Sequence, residues 1–235
     1  LQRAPLEISE VGQPILPNPW RKISTMTVAY GYGIAVSPIQ MVSAVASLVN
    51  GGTRVMPTFV RSRDREHAVG ERVVSERTSR AIRQLMRLNV VEGTGTKADV
   101  PGYLVGGKTG TAEKVGAQGY DRRALRSSFV GIFPTSAPRY VVLVMLDEPK
   151  GTKETFGFAT AGWTAAPIVG QVIEPGRMFS PSANAISAQA VFNDEAFAIL
   201  LRWHDIMADT SGSNAPDTLL KTEGSDQSAG ASSAA

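Results

Sequence analysis

Residues 103–114 read Tyr-Leu-Val-Gly-Gly-Lys-Thr-Gly-Thr-Ala-Glu-Lys, and the interpretation of this stretch decides the fold. One interpretation is a nucleotide site, because Gly102 to Thr109 fits G-x-x-x-x-G-K-T, the pattern of a phosphate-binding loop. Downstream, the apolar run Tyr140–Leu146 precedes Asp147-Glu148, like the strand and acid that hold magnesium in such enzymes.

The neighbouring sequence argues against a phosphate-binding loop. Such a loop needs a buried strand before its first glycine and a long helix after its threonine. The segment before Gly102, residues 97–101, is too short and too polar for a buried strand. After Thr109, the glycines Gly110, Gly116 and Gly119 leave no room for an apolar-faced helix. We therefore expect Lys108 to lie on a strand, and an ATPase is the weaker alternative.

The second interpretation places Lys108-Thr109-Gly110-Thr111 on an edge strand. Lys108 would supply a fixed positive charge and favour a substrate carboxylate. Thr109 and Thr111 would offer hydroxyl donors, and Gly110 would leave room for a ligand along the backbone. An extended peptide would then bind by adding a strand to the sheet edge.

Helix signals flank this segment on both sides. Ser37, Pro38 and Gln40 form an N-cap and capping box, which predict a helix that ends at residues 50–52, Asn-Gly-Gly. A second helix is predicted from near Ser75 to Val91. Its predicted apolar face holds Ile82, Leu85 and Met86, and its predicted solvated face holds Arg77, Arg80, Arg83 and Arg87.

The middle of the chain has the pattern of strands. We predict strands at Tyr103–Lys114, Arg126–Phe133 and Tyr140–Asp147, and the last is apolar on both faces, as in a central strand. Short connections favour antiparallel pairing. A helix is predicted at Ala165–Ile173, and a short strand at Thr58–Val60. The fold class is therefore α/β of the α+β type, with a mostly antiparallel sheet packed between helices.

The last quarter of the chain has a different composition. A further amphipathic helix is predicted at Phe192–Met207, and from Thr210 the low apolar content predicts a disordered tail. We divide the chain into a body at residues 1–177, a segment with a possible helix at 178–208, and a tail at 209–235. From Asp205 onward the chain carries five acids and one lysine, whereas the first 204 residues carry a net charge of +7.

Composition excludes several classes of site. With no cysteine the chain can form no disulfide and use no thiol chemistry, and His67 and His204 alone nearly exclude zinc. A modestly basic body suits an anionic partner such as a cell-wall polymer, a lipid head group or a nucleic acid.

Three ordered motifs resemble the class B penicillin-binding proteins. They are Tyr30–Gln40 with the helix that follows, Gly107–Ala112 with its K-T-G signature, and Ser127–Gly131 ahead of Pro134. The resemblance covers roughly Leu6 to Ile173 and is closest to the septal, cell-division transpeptidases. It implies the penicillin-binding/β-lactamase-like fold, here incomplete.

The resemblance also implies an activity, that of a D,D-transpeptidase that cross-links peptidoglycan stem peptides and is acylated by β-lactams. In that family an S-x-x-K serine is the nucleophile with its lysine as base, and an S-x-N motif assists proton transfer. The backbone N–H matching Thr111 contributes to the oxyanion hole. The residues matching Lys108, Thr109, Gly110 and Thr111 form the substrate-binding strand, with Lys108 also shaping the electrostatics of the site. No cofactor and no metal are expected, cell-division proteins are expected partners, and nucleic acid is not.

The sequence departs from that pattern in one respect, since it contains no S-x-x-K. Thr94–Lys97 and Thr218–Lys221 imitate the spacing but begin with threonine, and the S-x-N at residues 182–184 follows K-T-G instead of preceding it. We therefore expect the C-terminal half of a transpeptidase domain, inactive alone. The nucleophile half would lie upstream, together with a membrane anchor that holds the protein at the periplasmic face of the inner membrane. A non-catalytic peptidoglycan or β-lactam binding module is the alternative.

Other candidate groups are weaker. Ser127 and Ser128 have no lysine or histidine nearby in the sequence, which argues against either as a nucleophile. Arg122, Arg123 and Arg126 follow the K-T-G segment, and a surface role is favoured over a place in the binding groove.

Overall fold

The computed structural model describes residues 2–59, 69–116, 119–173, 188–193 and 196–202. Its helices are α1 (Lys22–Ala29), α2 (Pro38–Val49), α3 (Glu76–Val91) and α4 (Ala165–Ile173). Its strands are β1 (Thr53–Val55), β2 (Val69–Arg72), β3 (Gly106–Gly116), β4 (Gly119–Phe133), β5 (Tyr140–Asp147), β6 (Ala188–Asn193) and β7 (Ala196–Arg202). A short 3₁₀ turn lies at Thr96–Ala98.

An antiparallel five-stranded sheet with the order β3-β4-β5-β7-β6 forms the centre of the fold. Its register places Lys108 opposite Val130 and Gly110 opposite Ser128. The strand order leaves β3 at one edge, as the sequence predicts. β1 and β2 form a separate two-stranded sheet.

Both faces of β5 are covered, which confirms the prediction made from its apolar run. Val141 and Leu143 pack in one core cluster with Val42 of α2. Val142 and Val144 pack in the other, with Val169 of α4. Because side chains alternate along a strand, one continuous apolar segment supplies both cores. The predicted sheet between helices is therefore confirmed.

The predicted helix starts are confirmed by their caps. The Ser37 backbone N–H donates to Gln40 Oε1 at 3.0 Å, which completes half of the capping box of α2. The Ser75 side chain accepts from the Thr78 backbone N–H at the start of α3.

The side-chain assignment for α3 is wrong in part. Arg83 donates to Ser136 O, and Arg87 donates to both Asp99 Oδ1 and Val105 O, so two arginines of the predicted solvated face hold neighbouring loops. Leu85, predicted on the apolar face, is 64% exposed. The helix lies beside the edge strand β3. The face of α3 that the helical pattern alone assigns to solvent therefore makes polar contacts with neighbouring loops.

Two predicted elements are wrong. Thr58 and Phe59 lie outside any strand, and the strand of this region is instead Thr53–Val55, paired with β2. The helix predicted at Phe192–Met207 is also wrong where the structure describes it, because β7 pairs along β5 from Tyr140↔Arg202 to Leu146↔Ala196. Phe197, Ile199 and Leu201 alternate as in a strand, whereas Phe197, Leu200 and Leu201 have the spacing of a helix face. The sequence fits both elements equally well, and the pairing of β7 with β5 decides between them. Helix α1 was not predicted.

Several predictions fall outside the described residues. They concern His67, His204, the S-x-N at 182–184 and the tail at 209–235. Within the described part, no helix is both long and apolar enough to cross a membrane. The same residues contain no cluster of acidic, histidine or cysteine side chains that could hold a metal ion.

Candidate functional site

The main chain of β3 presents hydrogen-bonding groups at the open edge of the sheet. Asn89 Nδ2 in α3 donates to Gly107 O at 2.9 Å, which places that carbonyl on the side away from β4. In an antiparallel strand the N–H and C=O of one residue point the same way and alternate along the chain. The N–H and C=O of Thr109 and Thr111 therefore also point away from β4.

The two threonine hydroxyls of β3 are fixed by neighbouring loops. Thr109 Oγ1 lies 2.7 Å from Thr94 Oγ1, and the Thr94 backbone N–H donates to Asn89 Oδ1 at 3.2 Å. Thr111 Oγ1 accepts from the Ala161 backbone N–H at 3.1 Å. Hydrogen bonds on both threonines set the direction in which each hydroxyl faces a ligand.

Lys108 is exposed, and its ammonium lies beside the edge of the strand. Its Nζ donates at 2.7 Å to Thr109 O, a carbonyl that points away from β4 at the edge of the sheet. Since side chains alternate along a strand, Lys108 leaves the opposite face from Thr109 and Thr111. The predicted charge is thus held at the edge itself, where the outward main-chain groups also lie.

The glycines at positions 107 and 110 of this strand differ in what a side chain there would contact. A Cβ at Gly107 would lie 2.3 Å from the buried ring of Phe129, so close packing with β4 excludes a side chain. A Cβ at Gly110 would lie 2.8 Å from Ser128 Oγ. Because this atom is the end of a rotatable side chain, the contact alone does not require glycine at position 110, and the room for a ligand stays a prediction.

An aromatic loop between β5 and α4 borders the site. Ser127 Oγ donates to Ala159 O at 2.7 Å, and Ala161 reaches Thr111, so the loop is anchored on β3 and β4. Trp163 stacks with Phe158 at 5.4 Å, and the exposed ring of Phe156 meets it edge-on at 5.5 Å. Lys97 Nζ lies 4.2 Å from the centre of the Trp163 ring, a cation–π contact.

The far end of the β3–β4 hairpin is tied to β5 by charges. Lys114 Nζ lies 3.0 Å from Asp147 Oδ2 and 2.8 Å from Glu148 Oε1. These hydrogen bonds raise the pKa of the Lys114 ammonium, Glu148 contributing most. The hydrogen bond from Lys114 lowers the pKa of Asp147, and the charge of Arg126 lowers it further. Arg126 thus has a structural partner, in keeping with the favoured surface role.

The structure brings the three predicted motifs together. The K-T-G strand and Ser127–Gly131 are paired neighbours in the sheet. Tyr32, in the Tyr30–Gln40 motif, contacts Tyr120 of the same hairpin edge-on at 5.6 Å. Sequence reasoning missed the roles of Asn89 and Thr94, because Thr94 was considered only as an imitation of the S-x-x-K serine and Asn89 only as part of a helix.

Two rival interpretations are not supported by this geometry. The phosphate-binding loop is wrong, because Lys108 and Thr109 lie within β3 and the next element is the strand β4 instead of a helix. Ser127 is buried with its hydroxyl donated to Ala159 O, and the Ser128 hydroxyl is donated to Gly110 O at 3.3 Å. Neither hydroxyl is paired with a base.

Comparison with protein families gives a match over most of the chain. The model of the penicillin-binding protein transpeptidase domain matches residues 4–174. The probable peptidoglycan D,D-transpeptidase FtsI of Caulobacter vibrioides is 42% identical over 186 residues, which are 73% of this chain and 31% of that protein. Stage V sporulation protein D of Bacillus subtilis is 39% identical, with 73% of this chain and 28% of that protein covered. The chain thus spans about a third of the length of these relatives.

Solved structures agree. The transpeptidase domain of Burkholderia pseudomallei penicillin-binding protein 3 has a TM-score of 0.64 and 35% identity, with 72% of this chain and 51% of that chain covered. Penicillin-binding protein 3 of Mycobacterium tuberculosis, complexed with ampicillin, has a TM-score of 0.63 and 28% identity, with 73% and 41% covered. Together with the family match and the motifs paired across β3 and β4, these similarities place the chain among the class B penicillin-binding transpeptidases, in their FtsI-like, septal branch.

Proposed function

We propose that this chain supplies the substrate-anchoring strand of a peptidoglycan D,D-transpeptidase that acts in cell division. The observation that carries the proposal is the edge of β3, where the outward main-chain groups of Thr109 and Thr111 meet the ammonium of Lys108. An extended stem peptide or a β-lactam would align along this edge by strand addition. Its carboxylate would be held by Lys108 and the threonine hydroxyls.

In the same proposal the backbone N–H of Thr111 is one donor of the oxyanion hole. It points out of the sheet, and the bond from Ala161 to Thr111 Oγ1 holds the residue in place. A fixed N–H directed at the developing negative charge lowers the barrier to acylation without reorganisation during the reaction.

The nucleophile and its base would come from sequence outside these 235 residues, because S-x-x-K does not occur in them. The chain alone would then position a substrate or a β-lactam and form no acyl-enzyme. A periplasmic site at the inner membrane and binding to division proteins belong to the same proposal.

Labelling with a fluorescent penicillin tests this function. We expect no covalent label on the 235-residue chain, and label on a longer form of the protein that includes its S-x-x-K segment. Label on the short chain would overturn the assignment of the nucleophile. A longer form that carries S-x-x-K and stays unlabelled would favour the alternative, a non-catalytic binding module.

A further inference from the structure

A groove of about 560 Å³ runs along α3 on a part of the molecule that the proposed function does not use. We call it the arginine groove and define it by Arg80, Arg83, Arg87, Leu88, Val91 and Leu104, which line it. It combines three guanidinium groups with three aliphatic side chains. A ligand that fits it must offer both a negative charge and branched apolar groups.

The three arginines differ in how firmly they are held. Arg87 is committed to the fold, because it donates to Asp99 Oδ1 and Val105 O, both at 2.7 Å. Among the residues that the structure describes, Arg80 makes only an exposed pair with Glu76 at 3.2 Å, a type of pair that contributes little. Arg83 donates to Ser136 O at 3.2 Å, but its buried Nε has no hydrogen-bond partner among the described residues.

The Arg83 side chain is half-buried and lines the groove, so a carboxylate there can form a charge-assisted hydrogen bond with its guanidinium. Beside it, Leu88 is 50% exposed and Val91 is 48% exposed. Covering these side chains would add a hydrophobic contribution in proportion to the apolar area removed from water. The groove therefore suits a short segment with an acid next to leucines.

The described chain ends near this groove. Its last described residue, Arg202, lies opposite Tyr140 in the sheet, and Tyr140 lies opposite Phe133. The loop between Phe133 and Tyr140 includes Thr135, which lines the groove and donates its backbone N–H to Leu104 O at 2.8 Å. The end of β7 and the groove are thus at the same end of the sheet.

Residues 203–235 contain a segment with the required chemistry, Asp217-Thr218-Leu219-Leu220. β7 and β3 are three strand spacings apart, about 14 Å. Asp205 follows Arg202 too closely, since three residues span at most about 11 Å. Asp217 is fifteen residues beyond Arg202 and can reach about 50 Å when extended. The net charge of −4 from Asp205 onward complements the arginines.

We propose that the arginine groove binds the segment Asp217–Leu220 of the same chain. The Asp217 carboxylate is placed against Arg83 and Arg80, and Leu219 and Leu220 cover Leu88 and Val91. This interaction does not depend on the proposed transpeptidase function, and either can fail without the other.

Cysteine cross-linking in the complete chain tests the docking, because the chain has no cysteine of its own. Gln84→Cys places a thiol on an exposed residue of the groove. It is combined in one protein with Thr218→Cys and in another with Thr210→Cys. We expect the Thr218→Cys protein to form the intramolecular disulfide at least tenfold faster, measured by mass spectrometry of a digest after mild oxidation.

The pair at position 210 is the matched control, since an undocked tail brings residue 210 to the groove as readily as the more distant residue 218. Asp217→Asn combined with Leu219→Ser should remove the preference, and these changes lie outside the described fold. Arg83→Gln should remove it as well. Equal rates for the two pairs, a preference that survives the tail changes, or a disulfide found mainly between two copies would overturn the proposal.

Discussion

The side-chain oxygens of Thr94 and Thr109 lie 2.7 Å apart, and this hydrogen bond links the loop after α3 to the K-T-G strand. Asn89 supports the same link, since it accepts from the Thr94 backbone N–H and donates to Gly107 O. One helix thus holds a hydroxyl and a carbonyl of the edge strand at the same time. The proposed carboxylate-binding hydroxyl of Thr109 has its direction set by this network.

Thr94→Val should slow acylation of a full-length, S-x-x-K-containing form of the protein by about five- to tenfold. It removes one hydrogen bond of about 1 kcal/mol, which orients Thr109. The second-order rate constant for labelling by a fluorescent penicillin measures the effect. Thr94→Ser keeps the hydroxyl and should retain most of the rate, so that an equal loss in both variants would argue against the hydrogen bond as the cause.

The network around Thr94 was not predictable from the sequence, whereas much of the sheet was. β5 and α4 have the predicted bounds, because a continuous apolar run and a compact helical pattern are local signals. α1 has no comparable signal, and it begins where the Arg21 backbone N–H donates to Ser24 Oγ. β7 depends on pairing with β5, and the Thr94–Thr109 contact joins residues that only the folded chain brings together.

Lys108→Ala should reduce the acylation rate of the same full-length form by about 10- to 100-fold. The ammonium at Thr109 O is the proposed partner of the ligand carboxylate, and hydrogen bonds to charged groups contribute about 1.5–3 kcal/mol. The readout is again the labelling rate, compared with Arg54→Ala. That control removes one exposed positive charge from the separate two-stranded sheet and should leave the rate unchanged. An unchanged rate in Lys108→Ala would refute the role of the lysine.

Asp147→Asn should weaken the fold slightly at neutral pH and abolish one part of its acid sensitivity. The pKa of Asp147 is lowered in the folded chain, chiefly by the hydrogen bond from Lys114. Its contribution is therefore present above its ordinary pKa of about 4 and is lost as the pH falls through the lower folded value. The pKa of Lys114 is raised, so its contribution is lost only as the pH rises through that raised value, above about 10.4.

Urea unfolding between pH 2 and pH 8 measures this dependence on Asp147. The difference in unfolding free energy between the native chain and Asp147→Asn should be constant near neutrality and shrink toward zero in acid. Glu71→Gln, a change of an exposed carboxylate on β2, is the control for general loss of charge. A difference that persists undiminished at pH 2 would mean that the ion pairs are not its source.

Gly107→Ala should destabilise the chain by about 1–3 kcal/mol, because a methyl group must be inserted into a filled core. The new Cβ would lie 2.3 Å from Cζ of Phe129, whose ring is fully buried between β4 and the helices. Gly12→Ala is the matched control, since its Cβ would meet nothing within 4 Å, and it should change the unfolding free energy by no more than about 0.5 kcal/mol. Adding Phe129→Leu to Gly107→Ala should cost less than the sum of the two single changes, because the smaller side chain makes room for the methyl group. Additive losses in that double-mutant cycle, measured by chemical denaturation, would show that contact with Phe129 is not the reason for glycine at this position.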